Sequence, residues 1–197
     1  MIDSGLKKYA GLIKLYILLL AVVCVPDIFT SIITNKNQEL SMIHCGVLSL
    51  LCVLTVYTEK TKLDVKKLQI ILMIATVIAF IGCYSDVVRQ LFIMGKSWLF
   101  SFLTFPIVII TWIISFKYNK SNARKNAQKA TPVQTSIFST VAAAALLFSR
   151  KHLEGSSPEQ FARICLIGTS VFMIFMVCMY SFVLVKIKNI EEENKDN

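Results

Sequence analysis

The sequence predicts an all-α membrane protein, a bundle of six transmembrane helices with three helical hairpins as the candidate arrangement. Three observations carry that expectation. Of 197 residues, 55% are apolar and only 17% charged, at a mean hydropathy of +0.65, whereas a soluble domain carries roughly 25% charged residues. The apolar residues fall in six runs, each near the ~20 residues a helix needs to cross a ~30 Å hydrocarbon core. The charges gather between those runs. Backbone groups in lipid must be satisfied within the segment, so each run is expected to be helical. A β-barrel would show alternating segments about half as long.

The first run, Leu15–Ile33, is interrupted by Pro26-Asp27. No small-residue cleavage pattern follows it, so it reads as a span and not as a cleaved signal. The second run is Leu40–Tyr57 and the third Leu68–Val88. Trp98–Phe116 forms the fourth, and Val133–Ser149, the shortest, the fifth. Thr131-Pro132 offers the fifth an N-cap and first helical position, and Gly155 a stop. Ser136, Ser139, Ala142 and Ala143 give it a small-residue face suited to close packing at the bundle centre. The sixth run, Ile164–Val185, follows Ser157-Pro158-Glu159-Gln160, which has the form of a capping box. No loop is long enough for a separate domain, so residues 1–197 read as one integral membrane domain.

Sidedness follows from the basic residues. With six spans, the N-terminus, the 58–67 loop, the 117–132 loop and the C-terminus share one side and hold 15 of the 21 Lys and Arg. The opposite side holds six: Lys36, Arg89, Lys96, Arg150, Lys151 and Arg163. The positive-inside rule then places both termini in the cytoplasm of a multi-pass cell-membrane protein. The formal charge of +9 serves orientation and contact with anionic lipid head groups on the cytoplasmic side. It does not indicate nucleic-acid binding. Arg150-Lys151 is the pair that fits this arrangement least, because a five-span chain would put it inside.

An offset of 59 residues aligns Lys7-Lys8 with Lys66-Lys67, Cys24 with Cys83, and Asp27 with Asp86. These identities suggest a parallel repeat of helical hairpins, with chance agreement as the competing explanation.

Ionisable side chains at membrane depth cost ~2.5–3.5 kcal/mol for an Asp at a helix centre, so each needs a reason. Asp27, His44, Asp86 and Arg89 fall toward the outer ends of three consecutive spans. Asp86 and Arg89 stand at i,i+3, and Gln90 follows Asp86 at i+4. The four are the candidate ligand- or ion-binding residues of a polar site toward the outer leaflet. The alternative is interhelical glue, with Asp27 or Asp86 paired to Arg89.

The six Cys all lie in spans without a C-x-x-C or zinc-type spacing, and read as buried apolar residues. His44 and Cys45 are adjacent, so on a helix they point apart. No nucleophile elbow, Walker loop, H-E-x-x-H or dinucleotide fingerprint occurs. His152, Glu154 and Ser156 share one polar loop, a weak basis for catalysis. No catalytic residue, metal site or cofactor is therefore expected. The first functional expectation is a non-enzymatic protein that binds a membrane-protein partner in or beside the bilayer, as immunity-type or complex-accessory proteins do. The alternative is a small-solute or ion transporter, or its membrane substrate-binding subunit, using the outer polar site. An intramembrane enzyme comes third.

Overall fold

The computed structural model describes residues 9–21, 24, 38–125 and 158–193. Five α-helices make up almost all of this: α1 (Tyr9–Ala21), α2 (Gln38–Lys60), α3 (Val65–Ile93), α4 (Thr104–Lys125) and α5 (Pro158–Glu193). A 3-10 segment, Trp98–Leu103, leads into α4.

The six-span expectation is corrected. Among the described residues, four helices are long and apolar enough to cross a bilayer: α2, α3, α5, and α4 with its 3-10 lead-in. The helix of the first run is described from Tyr9, six residues before the apolar stretch, to Ala21. Its thirteen described residues at 1.5 Å each cover ~20 Å of a ~30 Å core, and Cys24 beyond them is also helical. Apolarity marks where a chain can meet lipid; it does not fix where a helix begins or how far it runs. The fourth run shows this too, since its first six residues form the 3-10 segment. Val133–Ser149, Thr131-Pro132, Gly155 and the small-residue face lie outside the described residues. Pro158 is the first described residue of α5, and Ser157, the cap of that reading, lies outside the described residues.

Local chemistry explains the ends. Asp64 is extended (φ −101°, ψ 168°) and accepts from the Lys67 backbone N–H at 2.7 Å, an N-cap for α3. At the other end of α3, Gly95 has φ +64°, a left-handed conformation that glycine adopts without cost. There the Lys96 N–H reaches the Leu91 carbonyl and the Gly95 N–H the Phe92 carbonyl, which satisfies carbonyls the helix leaves open. Ser97 then caps the 3-10 segment through the Leu99 N–H.

α3 is the central helix, with half of its apolar window buried, against 6% for α4. Its core residues Leu68, Leu72, Ala75, Ala79 and Cys83 are almost fully covered. Gly82 lets α2 approach: a Cβ there would meet Val47 Cγ1 at 3.0 Å and Leu20 Cδ2 at 3.3 Å. The Tyr16 hydroxyl donates to the Met176 carbonyl (3.3 Å) and lies 3.2 Å from Thr76 Oγ1, tying α1 to both α3 and α5. Phe80, Tyr84, Phe102 and Phe105 pack as a ring cluster between α3 and α4.

These contacts fix direction. Phe80 against Phe105 and Tyr84 against Ser101 (2.7 Å) make α3 and α4 antiparallel. Asp86 against Thr169, with Thr76 and Met176 sharing Tyr16, makes α3 and α5 antiparallel as well. It follows that α4 and α5 run parallel, with Lys125 and Pro158 at opposite ends of the bundle. The Lys14–Glu59 pair (2.7 Å), the α2–α3 loop and Lys188, 5.9 Å from the Phe116 ring, all lie at one end. Lys96 and the Glu159–Arg163 pair lie at the other. α1 and α3 are parallel, and Cys24 and Cys83 are both buried; Lys7, Lys8 and Asp27 of the aligned repeat lie outside the described residues.

Candidate functional site

Three of the four candidate residues are described. His44, Asp86 and Arg89 all lie at the Lys96 end and are buried, with His44 and Asp86 at 0% exposure. Asp27 lies outside the described residues. Asp86 stands seven residues before Ile93, ~10 Å along the helix from the end of α3.

The antiparallel register of α2 and α3 builds the site. Val47 faces Gly82, so one turn further along His44 faces Ser85. His44 Nε2 is 2.8 Å from Ser85 Oγ. The Ser85 hydroxyl donates back to the Gly82 carbonyl at 2.8 Å, leaving its oxygen to accept from His44 Nε2–H. In the neutral imidazole, that assignment leaves the lone pair on Nδ1. Continuing the register places Ser41, one turn before His44, opposite Arg89. Asp86 and Arg89 are both within electrostatic reach of the His44 ring.

The Asp86 carboxylate is shared between helices. Oδ1 accepts from Gln90 Nε2 at 3.0 Å within α3, and Oδ2 accepts from Thr169 Oγ1 of α5. Buried carboxylates need such donors, because the desolvation of an unpaired charge in an apolar medium costs far more than either bond returns. The site therefore joins α2, α3 and α5 through side-chain hydrogen bonds. His44 Nδ1, Gln90 Oε1 and Ser41 Oγ are buried and have no hydrogen-bond partner among the described residues.

Thr169, Ser85 and Ser41 belong to the site and were not singled out in the sequence. Thr169 had a faint signal, since Gly168-Thr169-Ser170 is a polar break in an otherwise apolar run. Ser85 precedes Asp86 and faces another helix, a separation that only the packing of α2 reveals. The thiols divide differently from the buried reading: Cys24 and Cys83 are buried, whereas Cys45 and Cys52 are exposed on α2. His44 and Cys45 do point apart. The Met residues of the sixth run partly line the core, with Met173 and Met176 covered. Among the described residues no group of three or more His, Cys, Asp and Glu is placed to hold a metal.

The chain matches no family model, no curated protein and no solved structure. What can be said of its class comes from the helices: an all-α chain with several membrane-length apolar helices, as in a small multi-pass membrane protein.

Proposed function

We propose that this chain is a small multi-pass membrane protein that binds a small polar solute or ion at the His44–Asp86–Arg89 site, as a transporter or its membrane subunit does. The observation that carries this reading is a carboxylate, an imidazole and a guanidinium, all buried among membrane-length helices. Holding helices together in lipid requires only Ser, Thr, Asn or Gln, whose hydrogen bonds average ~0.6 kcal/mol in one membrane protein. Ionisable groups cost several times that to insert, so their use calls for a function that needs charge. The protein acts without a catalytic centre.

In this reading the chain sits in the cell membrane with the Lys14, Lys60 and Lys188 end toward the cytoplasm. That end also carries Lys62, Lys66, Lys67, Lys117 and Lys120, and it meets anionic head groups there. The polar site then lies toward the outer leaflet.

Cysteine accessibility tests the proposal. In a background with the six native cysteines replaced, Ser85→Cys should react with a small charged thiosulfonate added from outside. Complete protection of that thiol, with the loop position Lys96→Cys reacting normally, contradicts a solute-accessible site.

A second reading, binding of a membrane-protein partner, is favoured by α4. Only 6% of its apolar window is buried, and Leu99, Phe100, Leu103, Ile107, Ile110 and Ile114 are exposed. Purification in mild detergent followed by native mass spectrometry distinguishes it, through a stoichiometric protein partner.

A further inference from the structure

The groups of this site are covered on every described side. His44 and Asp86 have no exposed surface, Thr169 has 1%, Gln90 2%, and Ser85 and Arg89 6% each. A ligand of several atoms would have to part the helices before it could enter. A proton needs only a lone pair. His44 supplies one: Nε2–H is committed to Ser85 Oγ at 2.8 Å, and the buried Nδ1 has no hydrogen-bond partner among the described residues. Buried polar atoms are partnered in the great majority of native proteins, so an idle ring nitrogen at this depth calls for an explanation. Imidazole is also the side chain whose charge ordinarily changes between about pH 5 and 8.

The surrounding charges suit a site that takes up one proton. From α3, the Asp86 carboxylate and the Arg89 guanidinium are both within electrostatic reach of the ring. Asp86 accepts on both oxygens and is therefore ionised, so these two balance while His44 is neutral. From α5 the facing group is the uncharged Thr169. The Cys83 thiol of α3 lies within reach of Asp86 and of Cys24, and Glu39, on α2 itself, is exposed. Polarity also has one direction. Toward the Lys96 end, the next turn holds Ser41 on α2 and Arg89 and Gln90 on α3; toward the other end it holds Val47, Leu51, Gly82 and Ala79, all buried.

Resting on the ion-binding form of the reading above, we infer that the ion of this site is a proton, received on His44 Nδ1 from the aqueous phase at the Lys96 end. Hydronium loses one O–H bond and the ring gains one N–H bond, leaving water and an imidazolium whose Nε2–H still donates to Ser85 Oγ. The Asp86 carboxylate attracts the new charge, and the Arg89 guanidinium limits how tightly it is held.

Nitrogen NMR of His44 tests this directly. The chain has two histidines, so His152→Gln leaves His44 as the only labelled ring in protein made with ¹⁵N-histidine. In phosphatidylcholine nanodiscs at about pH 8, Nε2 should carry the proton and Nδ1 the lone pair. Lowering the pH to about 5 should protonate Nδ1 reversibly while Nε2 stays protonated and the helical content is unchanged. Sodium chloride at fixed pH should leave both resonances in place. Arg89→Gln should raise the proton affinity at least tenfold, which moves the midpoint up by about one pH unit. A ring that keeps the Nδ1 lone pair throughout, or a resonance that sodium moves at fixed pH, overturns the inference. If Nδ1 does not titrate while Ser85→Cys is modified from outside, the proton falls and the solute site stands; if that thiol is also protected, both fall. Titration with a protected thiol supports the proton and removes larger solutes.

Discussion

His44 Nε2 lies 2.8 Å from Ser85 Oγ, and this bond sets the register of α2 against α3 at the polar end of the bundle. It works together with the close approach one turn away, where Val47 sits over Gly82. A steric contact and a polar contact thus specify the same alignment.

Gly82 is the position where that alignment breaks most simply. An Ala there gains up to ~1 kcal/mol in helix propensity and spends it against Val47 Cγ1 at 3.0 Å, so Gly82→Ala is expected near neutral. Gly82→Val adds two further carbons with no room and should lose ~1–3 kcal/mol. Reversible unfolding in mixed micelles measures both.

Thr169 donates to a buried carboxylate from another helix. Thr169→Val keeps the shape and removes the donor, and should cost ~1–2 kcal/mol, toward the upper range for hydrogen bonds in membrane proteins. Thr169→Ser should recover most of the loss. Equal stability of the Val and Ser variants would show that the bond contributes nothing.

Tyr16 anchors α1 through its hydroxyl on Thr76 and Met176. Tyr16→Phe leaves the ring packed and should cost ~0.5–1.5 kcal/mol. The accompanying readout is faster proteolysis within residues 9–21 than elsewhere.

At the start of α5, a hydrogen bond and then the charge of Arg163 hold Glu159 below the usual carboxylate range. A depressed folded-state pKa means stabilisation that is present above the ordinary value of ~4.3 and lost as pH falls through the lower folded value. The first turn of α5 should therefore lose hydrogen-exchange protection as the medium is acidified through that window. Glu159→Gln should show little such dependence. The pair is solvent-exposed, so global stability should barely respond.

Sidedness makes a further prediction. Reporters inserted after Thr61 and after Lys96 should read opposite sides of the membrane, with Thr61 cytoplasmic. The two positions lie at opposite ends of α3, whatever the path of the residues outside the described set.

The sequence made the helical, apolar character legible because lipid leaves the backbone few alternatives. It also marked His44, Asp86 and Arg89, since charge within an apolar run is conspicuous. Helix ends were less legible. α3 extends from Val65 to Ile93, well past the apolar run, because the Asp64 cap and the Gly95 turn decide its limits. The span count differs too: among the described residues four helices reach membrane length, where the apolar runs suggested six, and an apolar run alone does not state where its helix starts or ends. Thr169 and Ser85 stayed hidden because hydroxyls in membrane helices commonly bond their own backbone. Ser170 does so with the Leu166 carbonyl, while its neighbour Thr169 reaches Asp86. Only the packing of α5 on α3 separates the two.

The central claim is that α2, α3 and α5 bring His44, Asp86 and Thr169 into one buried site. Paired cysteines in membranes, in a background without native thiols, test it most directly. His44→Cys with Ser85→Cys, and Asp86→Cys with Thr169→Cys, should each be joined by a short bifunctional thiosulfonate. Thr76→Cys with Thr169→Cys should not, because Thr76 lies ten residues, ~15 Å of helix, from Asp86. Cross-linking of the first two pairs and not the third is the result this arrangement predicts; failure of either close pair, or equal reaction of the distant one, would contradict it.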